Sequence, residues 1–386
     1  ALAGPSIPAA NALPVPSSGS RPFVFAGSVN GGQPAVSGNA MTITTPSRAL
    51  GLNWAKFNIG SNASVTFRQP DASSRVLNRI WDNDPSVIMG RLEANGEVYL
   101  INQNGILFGN GAQVNVGGLL ASALNLSDSM ASQLLNSGLP AVKGDRLEFA
   151  WDGSAAGFNA GFVTLDAGAK VTTPAGGRVL LIAPKTTENL GLIEGGGGAE
   201  AILAAGGKVI LTAPDDPNLR GLLVETKSFT GKDSLGNNVS LDGSATNKGT
   251  IDSGSGGVVT LAALAVNQKG MVKASKAVNL NGTTMLVSGS TETDRLTINQ
   301  RGDKAEIDWV SGFNVGAGKT VEFAQQSTGA VAYNYVNDAD RIAADGSILN
   351  VAGRSSIDGI LKASGQLFLI NEKGFDFGAS ADVKAA

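Results

Sequence analysis

One stretch of this chain occurs twice, and this repeat constrains the fold more than any other feature of the sequence. Residues 90–114 read GRLEANGEVYLINQNGILFGNGAQV, and residues 359–383 read GILKASGQLFLINEKGFDFGASADV. The two copies align at a constant offset of 269, so that the Leu-Ile-Asn triplet of 100–102 falls on that of 369–371. A chain that repeats a unit of strands and turns is expected to stack the copies of that unit.

Each copy consists of short runs of β-forming residues between sharp turns. In the first copy, the runs 98–101 and 106–108 flank the turn Asn102-Gln103-Asn104-Gly105. Gly has no Cβ to clash at positive φ, and Asn tolerates the left-handed region, so both residue types favour tight turns. Taken alone, this pattern also fits a β-hairpin.

A weaker repeat continues through the second half of the chain. The phrase AGGRVLLIAP at 175–184 returns as AGGKVILTAP at 205–214, and GGVVTLAA at 256–263 is a third version. A second phrase, NLGLI at 189–193, returns as NKGTI at 247–251. Each version is predicted to form part of one rung, in which inward aliphatic and outward polar residues alternate.

Repeated strands and Gly/Asn turns, with no helix between them, predict a parallel β-helix. A single coil of such a fold cannot bury its apolar face, but stacked coils share one continuous core. Propellers and sandwiches are the alternatives, and a propeller would need longer antiparallel strands at a more even period. The predicted fold class is therefore all-β, with the chain wound as a solenoid.

Three segments depart from this rhythm. Residues 1–22, rich in Pro, Ala and Ser, are predicted to form an extended leader. Residues 126–160 and 215–246 are too long for a coil turn and are predicted to be excursions that lie as hairpins on the flank of the helix. A short helix is predicted at 129–135. Long loops in an economical fold often bind ligands, although covering exposed sheet is their more common role.

The composition restricts the chemistry available to this chain. It contains no His and no Cys, which excludes Ser-His and Cys-His nucleophilic sites and zinc held by His or Cys. The carboxylate pairs Asp82/Asp84 and Asp215/Asp216 are the remaining catalytic candidates. Both lie among turn residues, where Asp bonds to nearby backbone N–H groups. We therefore predict a protein that is not an enzyme and that uses no cofactor or metal.

Charge and cysteine content bear on partners and compartment. The formal net charge is −3 with the two signs interspersed, so nucleic acid is not a predicted partner. A cytosolic protein can lack Cys by chance, but the absence of Cys also suits a chain that crosses the oxidising periplasm unfolded, because a disulfide closed there would lock a loop. Asp82-Asn83-Asp84 and Arg301-Gly302-Asp303 could suggest a calcium loop and an adhesion tripeptide, but ordinary turns explain both better.

Three motifs follow one another in the first part of the chain: LNWAKFNIG (52–60), VTFRQPDASSRVLNRI (65–80) and GRLEANGEVYLINQNGILFG (90–109). At this order and spacing they resemble the secretion domain of two-partner secretion exoproteins, the filamentous-haemagglutinin-like and high-molecular-weight-adhesin-like proteins of Gram-negative bacteria. The resemblance places this domain at residues 11–300. Residues 305–386 are then predicted to be a second, degenerate repeat of the opening motifs that continues the β-helix.

The resemblance implies a right-handed parallel β-helix, and a partner that is an outer-membrane β-barrel transporter with periplasmic docking domains. It also marks candidate residues for transporter recognition or for nucleation of folding, namely Asn78, Asn102, Gln103, Asn104, Gly105 and Ile106. Gln103 stands where the family carries Pro, which argues against a contact specific to Pro. We interpret these residues as turn-forming first and recognised second.

The predicted function is that of a secretion domain in a large exoprotein, most commonly an adhesin, which acts as a monomer and reaches the cell surface or the medium. Contact-dependent toxins and haem- or iron-acquisition proteins are less common cargoes. The rival interpretation is a secreted β-helix that binds or cleaves polysaccharide, and it requires carboxylates and aromatic residues along one face. Binding of host or matrix glycans or proteins is a third interpretation that the sequence leaves open.

Overall fold

The computed structural model divides the chain into two units, residues 1–270 and 271–386. The described residues are those from 5 to 385, without the segments 152–160, 215–220, 233–237, 269–270, 274–276, 281–282, 286–294, 301–303, 310–312, 326, 337–340, 343–347, 350–354 and 372–373. Short strands account for nearly all of the regular structure in both units.

The first unit contains one α-helix, α1 (Asp128–Ser137), among its described residues. Its strands are β1 (Val15–Pro16), β2 (Val24–Ala26), β3 (Ala35–Ser37), β4 (Ala40–Thr44), β5 (Ala49–Lys56), β6 (Ser64–Arg68), β7 (Arg75–Ile80), β8 (Ser86–Ile88), β9 (Arg91–Ala94), β10 (Glu97–Ile101), β11 (Ile106–Phe108), β12 (Gln113–Asn115), β13 (Gly118–Ser122), β14 (Arg146–Ala150), β15 (Phe162–Leu165), β16 (Lys170–Thr173), β17 (Arg178–Ala183), β18 (Thr186–Asn189), β19 (Leu192–Gly195), β20 (Glu200–Ala205), β21 (Lys208–Thr212), β22 (Leu223–Lys227), β23 (Phe229–Lys232), β24 (Asn238–Leu241), β25 (Ser244–Asn247), β26 (Thr250–Asp252), β27 (Val258–Ala262) and β28 (Ala265–Gln268).

Consecutive strands of a coil lie in different sheets, and each strand pairs in parallel with the strands one coil before and after it. Strand β9 pairs with β6 and β12, β10 with β7 and β13, and β11 with β8 and β15. Leu100 of β10 therefore lies between Asn78 and Ala121 in one ladder. The fold is a parallel β-helix, as predicted. The two runs around the Asn102 turn belong to two sheets and do not form a hairpin.

Inward-facing aliphatic side chains form columns that run from coil to coil. Residues of one column are neighbours in the parallel register and are all nearly fully buried: Val65, Leu92, Val114, Val171, Ile193 and Ile251. Burial of apolar surface stabilises such a column by about 25 cal/mol per Å². Because each coil buries its faces against its neighbours, stability is shared along the stack and no coil is expected to persist alone.

The repeated phrase NxGxI behaves as predicted. Asn189 and Asn247 are partners in the register of β18 and β25, and both side chains are fully buried. The Asn189 amide Nδ2 donates to Asn247 Oδ1 at 2.7 Å. A buried amide loses water on folding, so this stacking of one Asn on the next satisfies polar groups that would otherwise be costly.

The phrase AGGKVILTAP at 205–214 was predicted to form a rung, and this prediction is wrong. Its strand β21 pairs antiparallel with β14 and β22 on the flank of the helix. The preceding strand β20 forms the rung instead, in parallel with β17 and β27. The reason is that both strands are short, apolar and followed by a turn, so their patterns fit a rung and a flanking strand equally well.

The two excursions build a second layer over the outer face of the main sheet. Helix α1, which covers the predicted 129–135, packs with β14, β21 and β22 above that face. The second core so formed contains residues from both layers: Leu77, Tyr99, Ile101, Leu120, Leu180 and Ile182 from the sheet, and Leu134, Leu135, Leu147, Phe149, Val209 and Leu211 from the covering layer. The first excursion is thus a helix and a strand, whereas β23 and β24 of the second form the predicted hairpin.

Helix α1 begins at a well-formed cap and is short. The Ser127 side chain accepts a hydrogen bond from the backbone N–H of Met130, which satisfies one of the free donors at the helix start. The described part of the chain contains no helix long and apolar enough to cross a membrane.

The N-terminal residues lie against the first coils of the first unit. Strand β1 pairs antiparallel with β5, and the N–H of Gly60 donates to the Ala12 carbonyl at 2.9 Å. An added Cβ at Gly60 would come within 2.2 Å of the Ala9 carbonyl oxygen, so only Gly permits this close approach. The leader therefore pairs with a strand edge that would otherwise be open.

The second unit contains its own parallel ladders. Its strands are β29 (Met271–Lys273), β30 (Ala277–Leu280), β31 (Thr283–Met285), β32 (Arg295–Gln300), β33 (Lys304–Trp309), β34 (Thr320–Gln325), β35 (Val331–Val336), β36 (Arg341–Ile342), β37 (Ile348–Leu349), β38 (Ser355–Ile357), β39 (Ile360–Ala363), β40 (Gln366–Asn371), β41 (Phe375–Phe377) and β42 (Asp382–Lys384). Three parallel sheets have the orders β32-β34-β39-β42, β33-β35-β40 and β38-β41.

A buried carboxylate fastens the second excursion to the main sheet, and its titration gives a testable pH dependence. Glu200 accepts a hydrogen bond from the N–H of Leu222 at 2.6 Å and pairs with Arg178 at 3.1 Å. Burial raises the pKa of Glu200 above its ordinary value of 4.5. The charge of Arg178 and the hydrogen bond from Leu222 lower this pKa, but by less than burial raises it. The contribution of Glu200 to the free energy of unfolding is therefore fully present below pH 4.5, and it is lost as the pH rises through the raised pKa.

We therefore expect the free energy of unfolding of the native chain, relative to that of Glu200→Gln, to fall as pH rises from 4 to 8. Urea unfolding of both proteins at a series of pH values measures this difference. A difference that stays constant or grows over this range would contradict the raised pKa.

Candidate functional site

The turn at Asn102 is closed by hydrogen bonds from its own side chain. The Asn102 amide Nδ2 donates to Ser86 Oγ at 3.0 Å and to the Asp84 carbonyl at 3.1 Å, while Oδ1 accepts from the N–H of Asn104 at 2.9 Å. The N–H of Gly105 donates to the Asn102 carbonyl at 3.0 Å. The Nδ2 atom thus joins two successive coils at the corner between two sheets, while the Oδ1 atom closes the turn itself.

Asn104 extends the same connection. Its Nδ2 donates to the Asp82 carbonyl at 2.7 Å, and the side chain is 7% exposed. The turn 102–105 is therefore fixed to the preceding segment 82–86 at three backbone or side-chain oxygens. Asn fits this role because a single short side chain can both donate and accept.

Asn78 forms a second buried polar contact in the neighbouring ladder. Its Oδ1 accepts from Trp54 Nε1 at 2.8 Å, and its Nδ2 donates to the Tyr99 carbonyl at 3.1 Å. Asn78 and Trp54 are both fully buried. Trp54 also packs edge-on against Phe23 and Phe57, so Asn78 supplies the acceptor that this indole needs inside the core.

Gly105 and Ile106 complete the turn. Gly105 has φ of +114°, and a Cβ there would lie 2.8 Å from the Phe162 ring of the next coil. Ile106 is fully buried and pairs in register with Ser86 and Val163. Both residues are therefore required by packing at this corner.

Replacing Gly105 with Ala is expected to destabilise the first unit by about 1–3 kcal/mol, because the residue would hold an unfavourable φ and press on an aromatic ring. Urea unfolding followed by circular dichroism measures the loss. Gly144→Ala is the matched control, since Gly144 also has positive φ but a Cβ there meets nothing within 4 Å. Equal losses in both variants would show that Phe162 contributes nothing at this position.

Burial separates the predicted site residues into two groups. Asn78, Asn102, Gly105 and Ile106 are fully buried, and Asn104 is nearly so. Gln103, at the tip of the turn, is half-buried and is the most accessible of the six. The structure brings five of the six together in one turn and places Asn78 on the adjacent strand β7.

An exposed cation–aromatic stack lies next to these residues and was missed by the sequence analysis. The Arg21 guanidinium lies 4.1 Å from the centre of the Trp81 ring, and that of Arg79 lies 5.4 Å from it. Trp81 is 36% exposed and donates from Nε1 to Asn53 Oδ1 at 2.8 Å. Its position directly after the motif ending at Ile80 is visible in the sequence, but its contact with Arg21, sixty residues earlier, is not.

Tyr99 links the site to the second core. Its hydroxyl donates to the Glu97 carboxylate, and Arg75 Nε lies 3.5 Å from the same carboxylate. Burial, with the nearby charge of Glu97, raises the pKa of Tyr99 well above its usual value of 10.0. Tyr99 therefore stays a neutral hydrogen-bond donor beneath the covering layer.

The other chemical candidates are turns where the structure describes them. The N–H of Asp84 donates to Asp82 Oδ1 at 3.3 Å, an arrangement typical of a turn. Among the described residues, no group of three or more acidic, His or Cys side chains could hold a metal ion. The pair Asp215/Asp216 and the tripeptide 301–303 lie outside the described residues.

Comparison with known proteins gives matches over most of the chain. A family model of the TPS secretion domain matches residues 26–283. A heme/hemopexin-binding protein of Haemophilus influenzae is 45% identical over 89 residues, which make up 23% of this chain and 10% of that protein. A second such protein is 42% identical over 86 residues, 22% of this chain and 9% of its own length. The matched part thus spans about a tenth of these relatives.

Two solved structures align with most of the chain. The HMW1 secretion domain from Haemophilus influenzae has a TM-score of 0.58 at 21% identity, over 94% of this chain and 98% of that domain, which shows a shared fold. The filamentous hemagglutinin secretion domain has a TM-score of 0.35 at 15% identity, over 97% and 100%.

Parallel coils, corner turns closed by buried Asn side chains and a covering helix-and-strand layer define a β-helical domain of the kind found in exported proteins. The chain belongs to the TPS secretion domain family, whose members are domains of two-partner secretion exoproteins. Proteins with this domain are exported across the outer membrane to the cell surface or the medium. The family is not an enzyme family, and membership implies a cognate outer-membrane transporter as partner.

Proposed function

We propose that this chain directs the export of a larger adhesin-type exoprotein through its cognate outer-membrane transporter, and that its first coils nucleate folding at the cell surface. The observation that carries the proposal is the buried network of Asn78 and Asn102, which ties consecutive coils together before any later coil is required. Membership of the secretion domain family supports the export role.

The proposed mechanism begins with an extended chain in the periplasm. A segment of that chain adds a strand to the sheet edge of a periplasmic docking domain of the transporter, where backbone hydrogen bonds give affinity. Such a contact requires an accessible backbone, which the coil strands offer only before they pair. Recognition therefore precedes formation of the Asn102 turn, and the turn forms once the segment has left the pore.

Vectorial folding would then oppose return of the chain. Each coil rests on the one before it, so coils add in order once the first is closed. Asn102 ties its coil to the preceding one through Ser86 and Asp84, and Asn78 ties three successive coils of the first unit through Trp54 and Tyr99. In this proposal Gln103, Asn104, Gly105 and Ile106 act through the same turn, and the domain acts as a monomer.

A second candidate concerns the cargo of the whole protein. The curated relatives are heme/hemopexin-binding proteins, so binding of haem or hemopexin by regions outside the aligned 89 residues is the specific alternative to adhesion. Glycan or host-protein binding through the excursions remains the third candidate that the sequence raised.

Co-expression with the transporter tests the export role. The chain is produced with a signal peptide in a Gram-negative host, with and without the transporter gene encoded beside it, and the medium and periplasm are assayed. We expect the chain in the medium only when the transporter is present. Equal retention in the periplasm under both conditions would overturn the proposed export role.

A further inference from the structure

The second unit repeats the positions of four consecutive strands of the first. Strands β9, β10, β11 and β12 begin at residues 91, 97, 106 and 113, and β39, β40, β41 and β42 begin at 360, 366, 375 and 382. Each start differs by 269 residues from its counterpart. The spacing of strands and corner turns has therefore been kept, although many residues of the two coils differ.

The closed turn also recurs. Asn371 Nδ2 donates to Ser355 Oγ at 2.9 Å, the N–H of Gly374 donates to the Asn371 carbonyl at 3.0 Å, and the N–H of Ser355 donates to the Gly374 carbonyl at 3.0 Å. Gly374 has φ of +94°. Each of these bonds has a counterpart 269 residues earlier, at Asn102, Ser86 and Gly105.

The contact of Asn78 has an equivalent as well. Asn334 is fully buried, lies opposite Leu369 in the ladder of β35 and β40, and donates from Nδ2 to the Phe368 carbonyl at 3.3 Å. Asn78 makes the same bond to the Tyr99 carbonyl at 3.1 Å. A buried amide is thus placed at the same point of both coils.

A Gln side chain joins consecutive coils in both units. Gln325 Oε1 accepts from the N–H of Gly365 at 2.7 Å, and its Nε2 donates to the Gln366 carbonyl at 3.1 Å. In the first unit, Gln69 Oε1 accepts from the N–H of Gly96 at 3.1 Å, and its Nε2 lies 3.4 Å from the Glu97 carbonyl.

A fourth coil-to-coil contact completes the comparison. Asn314 Oδ1 accepts from the N–H of Ser356 at 2.7 Å, as Asn58 Oδ1 accepts from the N–H of Val87 at 2.8 Å. Four side-chain contacts between coils therefore occur in both units at corresponding positions. Asn334 and Gln325 are buried, where an amide without a partner is costly. Because the same four contacts recur at corresponding positions, each set is expected to perform the same task in its own unit.

We infer that the described residues between 313 and 384 carry a second set of contacts that closes coils, and that this set nucleates folding of the second unit without help from the Asn102 network. The first coil of any solenoid is the costly one, since it has no folded neighbour to stack on and must close its loops first. Side-chain bonds that tie two successive coils together reduce that cost. A chain with two such copies starts folding at two places.

The two copies differ in the cover over their outer face. Tyr99 and Ile101 of the first unit are 1% and 4% exposed beneath the covering layer. Their counterparts Phe368 and Ile370 are 45% and 40% exposed. The second unit therefore buries less apolar surface at this strand, and its amides are expected to exchange faster at equilibrium than those of the first unit.

This inference extends the nucleation part of the proposed function to a second unit, and its test uses purified full-length chain with no transporter. Failure of the export assay would therefore leave it untouched, and its own failure would leave the export role untouched.

The test is refolding from urea with pulsed hydrogen exchange and mass spectrometry, applied to the native chain, Asn102→Ala and Asn371→Ala. We expect Asn371→Ala to slow protection of residues 360–384 about tenfold and to leave residues 91–115 unchanged, with the reverse for Asn102→Ala. Gln366→Ala is the matched control, since Gln366 is exposed on the same strand as Asn371. It should refold at the native rate.

Two results would overturn the inference. One is that Asn102→Ala slows protection of 360–384 as much as that of 91–115, because the second unit would then wait for the first. The other is that Asn371→Ala leaves the rate at 360–384 unchanged. If the amides of residues 360–384 never become protected in Asn371→Ala, the experiment is repeated with Ser355→Ala. The Ser355→Ala substitution removes only one hydrogen-bond acceptor of the turn, and the same two criteria apply.

Discussion

Replacing Asn102 with Ala is expected to lower the free energy of unfolding of the first unit by about 3 kcal/mol. The side chain is fully buried and makes three hydrogen bonds, to Ser86, Asp84 and Asn104. Its removal leaves the Ser86 hydroxyl, the Asp84 carbonyl and the Asn104 N–H without their hydrogen bonds to Asn102. Each buried polar group that is left unsatisfied costs about 1–3 kcal/mol. Local relaxation and entry of water keep the total below the sum.

Urea unfolding followed by far-ultraviolet circular dichroism measures this loss. Gln113→Ala is the matched control, because Gln113 lies on the same coil with its side chain exposed. We expect the control to change stability by less than about 0.5 kcal/mol. An Asn102→Ala protein as stable as the control would mean that the turn is held by its backbone alone.

Replacing Trp54 with Ala is expected to lower the free energy of unfolding of the first unit by about 3–5 kcal/mol. The indole is fully buried, packs edge-on against Phe23 at 4.9 Å and Phe57 at 5.2 Å, and donates to Asn78. The substitution therefore opens a cavity and also removes the donor that the Asn78 Oδ1 atom uses. Burial of the unpaired amide oxygen adds to the cost of the cavity.

Trp81→Ala provides the comparison, since Trp81 is 36% exposed and lies next to Trp54, with its N–H donating to the Trp54 carbonyl at 2.9 Å. We expect it to lose about 1 kcal/mol or less, through the stack with Arg21. The urea midpoint of each variant, with the slope held common, measures the two losses. Similar losses for both would contradict the central position of Trp54 in the core.

Much of the fold could be predicted because its signal is repetition. Turn-forming Asn and Gly residues between runs of two to four aliphatic residues fix the corner positions, and burial follows alternation within each run. The phrase ending at Ile193 and at Ile251 is an example, since both residues occupy one core column. Patterns of this kind depend on residues that are close together in the sequence, so they can be recognised without the structure.

Assignment of a strand to the coil or to the flank could not be predicted in the same way. Strands β20 and β21 are both short and apolar, yet one is a rung and the other pairs antiparallel above the main sheet. The choice is made by β14 and β22, which pair with the two edges of β21, and by the main sheet, against which Val209 and Leu211 pack. Tertiary packing, not the period of the strand, decides such cases.

The turn at Asn102 was predictable from the sequence, but the contacts of the candidate residues were not. Asn78 was also predicted to form a turn, and this prediction is wrong, because Asn78 lies within strand β7. Both side chains are buried at contacts between coils. The partners Trp54 and Ser86 lie 24 and 16 residues away from them, and they become neighbours only through the length of each coil. Their burial gives the structural explanation for why substituting Asn residues would affect folding before it could affect any surface contact.

The central claim is that Asn102 contributes to export by closing a coil and not by touching the transporter. The most direct test compares Asn102→Ala with Val114→Ala in the co-expression assay. Val114 is 1% exposed in the column of the same coil, and its truncation is expected to cost about 2 kcal/mol without altering the turn. Urea unfolding of both purified proteins gives the stability against which the secreted amounts are compared.

The account predicts that the amount secreted with the transporter falls with the loss of stability along one common line, with Asn78→Ala on the same line. Direct recognition of the turn predicts a different result. Asn102→Ala would then be secreted far less than its loss of stability predicts, while Val114→Ala and Asn78→Ala stayed on the common line, and that outcome would contradict the account.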